Sequence, residues 1–166
     1  RDVGAIKEEL LSSGYIRNRS MQKSQKIKRN GQRVKQKTVS SLPPKEYETT
    51  DGFRVLVGRN NLQNDKLSMK SSEKLDMWLH TKDYPGSHVI IVNKNGEVSD
   101  RAIEEAAVIA AVNSTARDAH KVPVDYTLVK NLKKPAGARP GKVIFHENWT
   151  VYVTPDEAFA ESLRVK

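Results

Sequence analysis

The chain has 166 residues, 37% of them hydrophobic and 30% charged, with a net charge of +9 at pH 7. With nine Gly, seven Pro and no Cys it suits one ordinary soluble domain with polar appendages, and collagen-like, fibrous and disulfide-stapled classes are excluded. Thiolate nucleophiles and Cys-type zinc sites are excluded too, and the longest apolar runs, Ala106 to Val112 and Val89 to Val92, fall far short of the about 20 residues a membrane-spanning helix needs.

In chain order, Asp2 is placed to cap a short helix through Ser13, with Ile6 and Leu10 on one face and Gly14 at its end. A helix of this length is marginal alone, and a chain opening at Arg1 rather than Met reads as a piece of a longer protein whose preceding residues extend it. Residues 17 to 45 form a basic linker. Ser41-Leu42-Pro43-Pro44 is an extended boundary, because each Pro fixes its own φ and restricts the residue before it, and the compact domain is expected from about Glu46.

Phe53 to Val57 alternates as a strand after the Asp51-Gly52 turn, and Asn64 is expected to cap a helix from Asp65 to about Leu75. Met77 to Thr81 reads as a strand. Tyr84-Pro85-Gly86-Ser87 has the sequence of a type II turn, with Gly86 at the position that requires positive φ, and His88 to Val92 follows as a central strand with apolar residues on both faces. Ser99 or Asp100 caps a helix to about His120 whose middle, Ala106 to Val112, is apolar all round. Val124 to Val129 is a further strand, Val143 to Phe145 and Trp149 to Val153 are expected to form a hairpin, and Thr154 is expected to cap a last helix with Pro155 at its first position. The predicted order is β, α, β, β, α, β, β, β, α, an α/β fold with a mixed sheet and helices packed on it, preceded by the helical segment and the basic linker.

The charge is uneven. Lys plus Arg outnumber Asp plus Glu 12 to 3 in residues 1 to 45 and balance at 17 each in residues 46 to 166. Arg17, Arg19, Lys23, Lys26, Lys28, Arg29, Arg33, Lys35 and Lys37 run without an intervening acid and with few apolar residues, so the stretch cannot bury enough surface to offset its chain entropy. It reads either as a solvated linker or as an arm for a polyanion, since each base that neutralises a phosphate releases counterions without reading sequence. No apolar face accompanies it, which argues against a membrane arm.

Three segments of the compact part could carry chemistry. The densest is Asp76 to His88, with two His and two Asp beside Trp78, Lys82 and Ser87. If Pro85-Gly86 closed a two-residue hairpin, His80 would face Ile91 and His88 would face Asp83, so the imidazoles would lie on opposite sheet faces and share no ion; a wider loop stays open as an alternative, because L-Pro-Gly turns fit twisted hairpins poorly. Trp78 reads as core. The second is Lys130 to Lys142, where Lys133, Lys134, Arg139 and Lys142 are interleaved with Gly and Pro and have no acid among them, which suits either a phosphate backbone or a solvated loop. The third is Gly58 to Asp65, whose Arg59, Asn60, Asn61 and Gln63 exceed what turn and cap chemistry explains. No nucleophile elbow, P-loop or dinucleotide fingerprint is present, so no catalytic constellation and no cofactor or metal is called for.

Read in order, Asp51-Gly52-Phe53, Val57-Gly58-Arg59-Asn60-Asn61, Asn64-Asp65, Trp78-Leu79-His80-Thr81-Lys82-Asp83, Pro85-Gly86-Ser87-His88-Val89, Lys133-Lys134-Pro135-Ala136-Gly137 and Tyr152-Val153-Thr154-Pro155 resemble the NFACT-R RNA-binding domain of the NFACT proteins, ribosome quality-control tailing factors of the bacterial RqcH kind. The resemblance covers about residues 46 to 158, and Leu10 to Ile16 resembles the end of the coiled-coil arm that precedes this domain. The departures are mild: Ser68 and Ser72 stand where many members carry Thr and Ala.

The resemblance implies a cytoplasmic factor that binds the large ribosomal subunit, and so ribosomal RNA, together with tRNA, and that supports C-terminal alanine tailing of stalled chains. It also implies that the N-terminal NFACT domain and most of the coiled coil lie elsewhere in the same protein. RNA contacts are then expected from Arg17, Arg19, Lys26, Lys28 and Arg29 of the arm, from Arg59, Asn60, Asn61 and Asp65, from His80, Lys82, Ser87 and His88, and from Lys133, Lys134, Arg139 and Lys142. Rival readings are a fibronectin-binding surface adhesin, a name also given to members, and an RNA-processing enzyme using His80, Asp83 and His88.

Overall fold

The computed structural model describes residues 42–94 and 96–166. The expected helix at 2 to 13 and the basic run from Arg17 to Lys37 lie outside the described residues.

A six-stranded sheet is built from β1 (Lys45–Glu48), β2 (Arg54–Val57), β3 (Met77–Thr81), β4 (Val89–Ile91), β5 (Val122–Leu128) and β8 (Trp149–Val153) in the order β1-β2-β4-β3-β5-β8. All neighbours are antiparallel. The fold is α/β, with helices packed on a sheet as the alternation of patterns predicts. Alternate residues of each strand point to opposite faces, so each face acquires its own core. On one face Val55, Val57, Leu79, Val89, Ile91, Val122 and Val124 pack under α2 (Asp100–Val112), whose Ala102, Ala106, Ala107, Ala110 and Ala111 let the helix sit close to the sheet, with α3 (Glu157–Ser162) beside it. On the other face Trp78 and Ile90 pack with Leu67, Leu132 and the partly buried Phe145.

Several expectations need correction. The Lys45–Glu48 strand was not visible as apolar alternation, because only Tyr47 points inward and the rest of the strand is polar. The first helix is α1 (Asn61–Lys66), capped by Asn60, whose side chain accepts from Gln63 N at 2.9 Å, and it widens into a π-helical turn over Leu67–Ser71. Asn64 is therefore inside the helix. The long helix stops at Val112 rather than near His120, because Asn113 and Ser114 bond back to the carbonyls of Ile109 and Ala111 and end the ladder. Ile144–Phe145 (β7) pairs with Leu132–Lys133 (β6), and β8 instead extends the main sheet beside β5, so the expected hairpin does not form. The last helix is capped by Asp156, which accepts from Phe159 N at 3.0 Å, and not by Thr154.

Candidate nucleic-acid interface

The Gly58 to Asp65 segment is held by Asn64. A Cβ on Gly58 would collide with Asn64 Oδ1, so only glycine leaves room for this buried amide to reach the residue before β4, where its Oδ1 accepts from His88 N at 3.1 Å. Gly58 N also donates to His88 O. Around this tie Arg59 N donates to Gln63 Oε1 at 2.8 Å, Arg59 Nε donates to Pro43 O at 2.6 Å and Gln63 Nε2 donates to Leu42 O at 2.6 Å. The segment is thereby sewn both to β4 and to the residues just before β1.

The two histidines share one face. The β3–β4 register pairs Trp78 with Ile90 and Leu79 with Val89, and one step further His80 and His88 meet with ring centroids 5.6 Å apart and near-perpendicular planes. The opposite-face expectation fails because the connection is a wide loop and not a two-residue turn. Gly86 does not adopt positive φ, so the type II turn is not formed; Asp83, at φ 65, takes the left-handed conformation instead. Gly86 is required for closeness: a Cβ there would lie 2.8 Å from Ser114 Cβ, and its backbone bridges to Ser114.

Trp78 stacks on His80 at 5.9 Å and meets His88 edge-on at 5.3 Å. Trp78 is core, as expected. His88 is 4% exposed and hydrogen-bonded through Nδ1 to the Ser68 hydroxyl at 2.7 Å, so its ring is turned inward, away from solvent. Burial, and then the neighbouring His80, push its pKa down to about 3. His80 is half-buried, and burial lowers its pKa as well. Lys82 is exposed on the loop and Ser87 is half-buried. Among the described residues no three His or carboxylate side chains gather into a metal-holding group.

The glycine- and proline-rich loop is fastened to α1 by a pair of expected contact residues, its own Lys134 and Asp65 of the helix. Lys134 Nζ lies 2.8 Å from Asp65 Oδ1 and donates to Arg139 O at 2.7 Å, and the same carboxylate oxygen accepts from Gly141 N at 3.0 Å. The Lys134 hydrogen bond holds the Asp65 carboxyl below its ordinary pKa. Gly137 and Gly141 at φ +75 and +87 make the bends, and Gly141 lies against Asn61. Asp65 and Lys134 therefore act first on each other, while Lys133, Arg139 and Lys142 stand exposed.

Three segments far apart in sequence thus meet at one end of the sheet. Arg59, Asn60, Asn61 and Ser87 line a cleft of about 410 Å³ whose opposite wall is Asn113, Ser114, Thr115 and Arg117, past the end of α2. That wall went unnoticed in the sequence, where the only signal is a polar Asn113-Ser114-Thr115 following a long apolar helix. Lys45 also belongs here, since its Nζ donates to Asn113 Oδ1 at 2.8 Å. The outer strand carries two half-exposed aromatics: Trp149 stacks on Tyr126 at 5.8 Å, and Tyr152 has Lys121 over its ring. Arg17, Arg19, Lys26, Lys28 and Arg29 fall outside the described residues.

This chain matches known proteins throughout. It is 46% identical over 156 residues to the Rqc2 homolog RqcH of Bacillus subtilis (strain 168), covering 94% of the chain and 25% of the relative. It is 39% identical over 165 residues to the Rqc2 homolog RqcH of Streptococcus suis (strain 05ZYH33), covering 99% and 27%. It therefore spans about a quarter of the length of these relatives. The solved C-terminal part of the fibronectin/fibrinogen-binding protein from Streptococcus suis superposes with a TM-score of 0.74 at 38% identity, covering 97% of this chain and 59% of that one. The family model of the NFACT protein RNA binding domain matches residues 44–147, which include Gly58 to Asp65, the 80 to 88 segment and the 133 to 142 loop, and the chain belongs to that family.

Proposed function

We propose that this chain is an RNA-binding module, without catalysis of its own, of a cytoplasmic ribosome quality-control factor. Residues 46 to 166 form the RNA-binding domain, 17 to 45 a basic arm and 1 to 16 the end of a coiled coil. The whole protein binds the large ribosomal subunit and tRNA and supports alanine tailing of stalled chains, with the N-terminal domain and coiled coil supplying the rest. One observation carries the reading: Gly58 to Asp65, the 80 to 88 segment and the 133 to 142 loop converge on one polar, cationic end of the sheet, within the span of an RNA-binding family. Buried His88 and the half-buried Asp65 and Lys134 position this end, while Arg59, Asn60, Asn61, Lys82, Ser87, Lys133, Arg139 and Lys142 supply contacts, with His80 at the partly exposed margin.

Salt-dependent affinity for a labelled single-stranded RNA tests the reading. Phosphate-dominated binding falls linearly in log salt. Deleting residues 17 to 37 is expected to flatten the slope, and the exposed-loop variant K133Q/R139Q/K142Q to weaken binding by about tenfold with an unchanged melting temperature. The second reading, a fibronectin-binding surface, is favoured by the name of the solved structural neighbour. Fibronectin that binds the chain tightly while RNA neither binds nor competes would replace the first reading with the second.

A further inference from the structure

The cleft between Arg59 and Arg117 is bounded by two guanidinium groups and lined by no carboxylate. Its two arginines come from different places in the chain, Arg59 following β2 and Arg117 lying five residues past the end of α2, while Lys45 at the start of β1 reaches the Asn113 side chain of the lining from the adjoining pocket, which also holds Glu157 and Glu161. The lining between the two arginines contains no carboxylate, only the amides of Asn60, Asn61, Asn64 and Asn113, the hydroxyls of Ser87, Ser114 and Thr115, and Pro85 and Gly86. Lys45 and Arg59 spend hydrogen bonds on neutral oxygens, those of Asn113 and Pro43, and among the described residues neither forms a salt bridge. Burial lowers the Lys45 pKa first, and repulsion from Arg164, Arg59 and Arg117 lowers it further against the smaller opposing pull of Glu161, so bases outweigh acids around this ammonium. Arg117 faces Glu157 at 3.9 Å with both side chains more than half exposed, a contact worth little and readily given up.

We infer that this cleft is a phosphate site, taking one phosphate group of an RNA strand between Arg117 and Arg59, with Lys45 behind it and the amides and hydroxyls of the lining as neutral donors. The inference rests on the RNA-binding reading and adds residues to it. Arginine suits the role because its planar fork can donate two parallel hydrogen bonds to one phosphate. The volume admits a phosphate and its sugar. From Asn61 the surface continues onto the loop at Gly141, beside exposed Arg139 and Lys142, so a strand seated in the cleft has further cations along its path.

The test uses the full 166-residue chain, a 12-nucleotide single-stranded RNA and, separately, inorganic phosphate. Arg117→Gln and Lys45→Gln are each expected to weaken RNA binding by about fivefold at low salt and to reduce the log–log salt slope by about 0.7, the share of one phosphate contact on a single strand. Arg101→Gln, on the exposed first turn of α2, serves as the control for general charge and is expected to leave the slope unchanged. Inorganic phosphate is expected to shift the Asn113 side-chain amide resonances in the parent chain and not in Arg117→Gln, which folds because that side chain is exposed. RNA binding with the same slope in Arg117→Gln and Arg101→Gln overturns the cleft and leaves the RNA reading standing. A phosphate-dependent shift without RNA binding keeps the anion site and overturns its assignment to RNA, and neither signal overturns both.

Discussion

At the scale of single residues, His88 ties the site to the stability of the domain. Its folded pKa is about 3, whereas an unfolded chain takes up the proton near 6.5. Between those values the unfolded state binds a proton that the native state refuses, so stability is complete above about pH 6.5 and falls as the pH drops toward 3. Each pH unit in that window removes up to about 1.4 kcal/mol through this residue, and His80, lowered in the same direction, adds to the loss. Urea unfolding at pH 7.5, 5.5 and 4.5 is expected to show this decline, and His88→Gln is expected to flatten it while lowering stability at pH 7.5 through the lost Ser68 contact. An equal decline in both proteins would show that His88 is not the titrating group. The sequence makes the residue types at this site legible and hides their orientation. Two histidines, a tryptophan and a Pro-Gly pair stand out, yet whether the rings share a face depends on loop width, which tertiary packing of Gly86 against Ser114 decides.

Among the elements, the 133 to 142 loop shows how a charged surface is kept in shape. A loop rich in Gly and Pro, with like charges along it, tends to spread. Here Asp65 on α1 accepts from Lys134 and from Gly141 N, closing the loop onto the helix at two points. Asp65→Asn keeps the size and loses the charge, and Lys134→Met keeps the packing and loses the ammonium. Each is expected to speed amide exchange at Gly141 and Lys142 by about tenfold while moving the melting temperature by only a few degrees, since the partly exposed pair contributes on the order of 1 kcal/mol. Unchanged exchange would mean that Pro135 and Pro140 alone fix the loop. Element types follow from the sequence wherever the period is long: α2 and strands β3, β4 and β5 are all legible. Pairing is not. Two-residue Ile144–Phe145 carries no signal for its partner, and it takes Leu132–Lys133 because Phe145 then covers Trp78 at 5.4 Å. The first helix starts four residues early because Asn60, one of several cap-forming residues in a row, has the extended backbone a cap requires.

For the molecule as a whole, the sheet has two differently used faces. One is closed by α2 and α3 into the larger core, and the other carries the smaller core on which α1, the histidine cluster and the basic loop are mounted. The +9 charge arises entirely in the first 45 residues, while the remainder is neutral overall and concentrates its bases locally. We therefore assign nonspecific attraction to the arm and placement of the RNA to the folded surface. Ultraviolet crosslinking of RNA to the full chain, with crosslinked peptides mapped by mass spectrometry, tests this division most directly. The account predicts crosslinks in 17 to 37 and also in 59 to 61, 82 to 87, 113 to 117 and 133 to 142, the latter sets persisting when salt is raised. Crosslinks that map to the arm alone, or to the outer face of α3 and the Trp149 to Val153 strand, would contradict it.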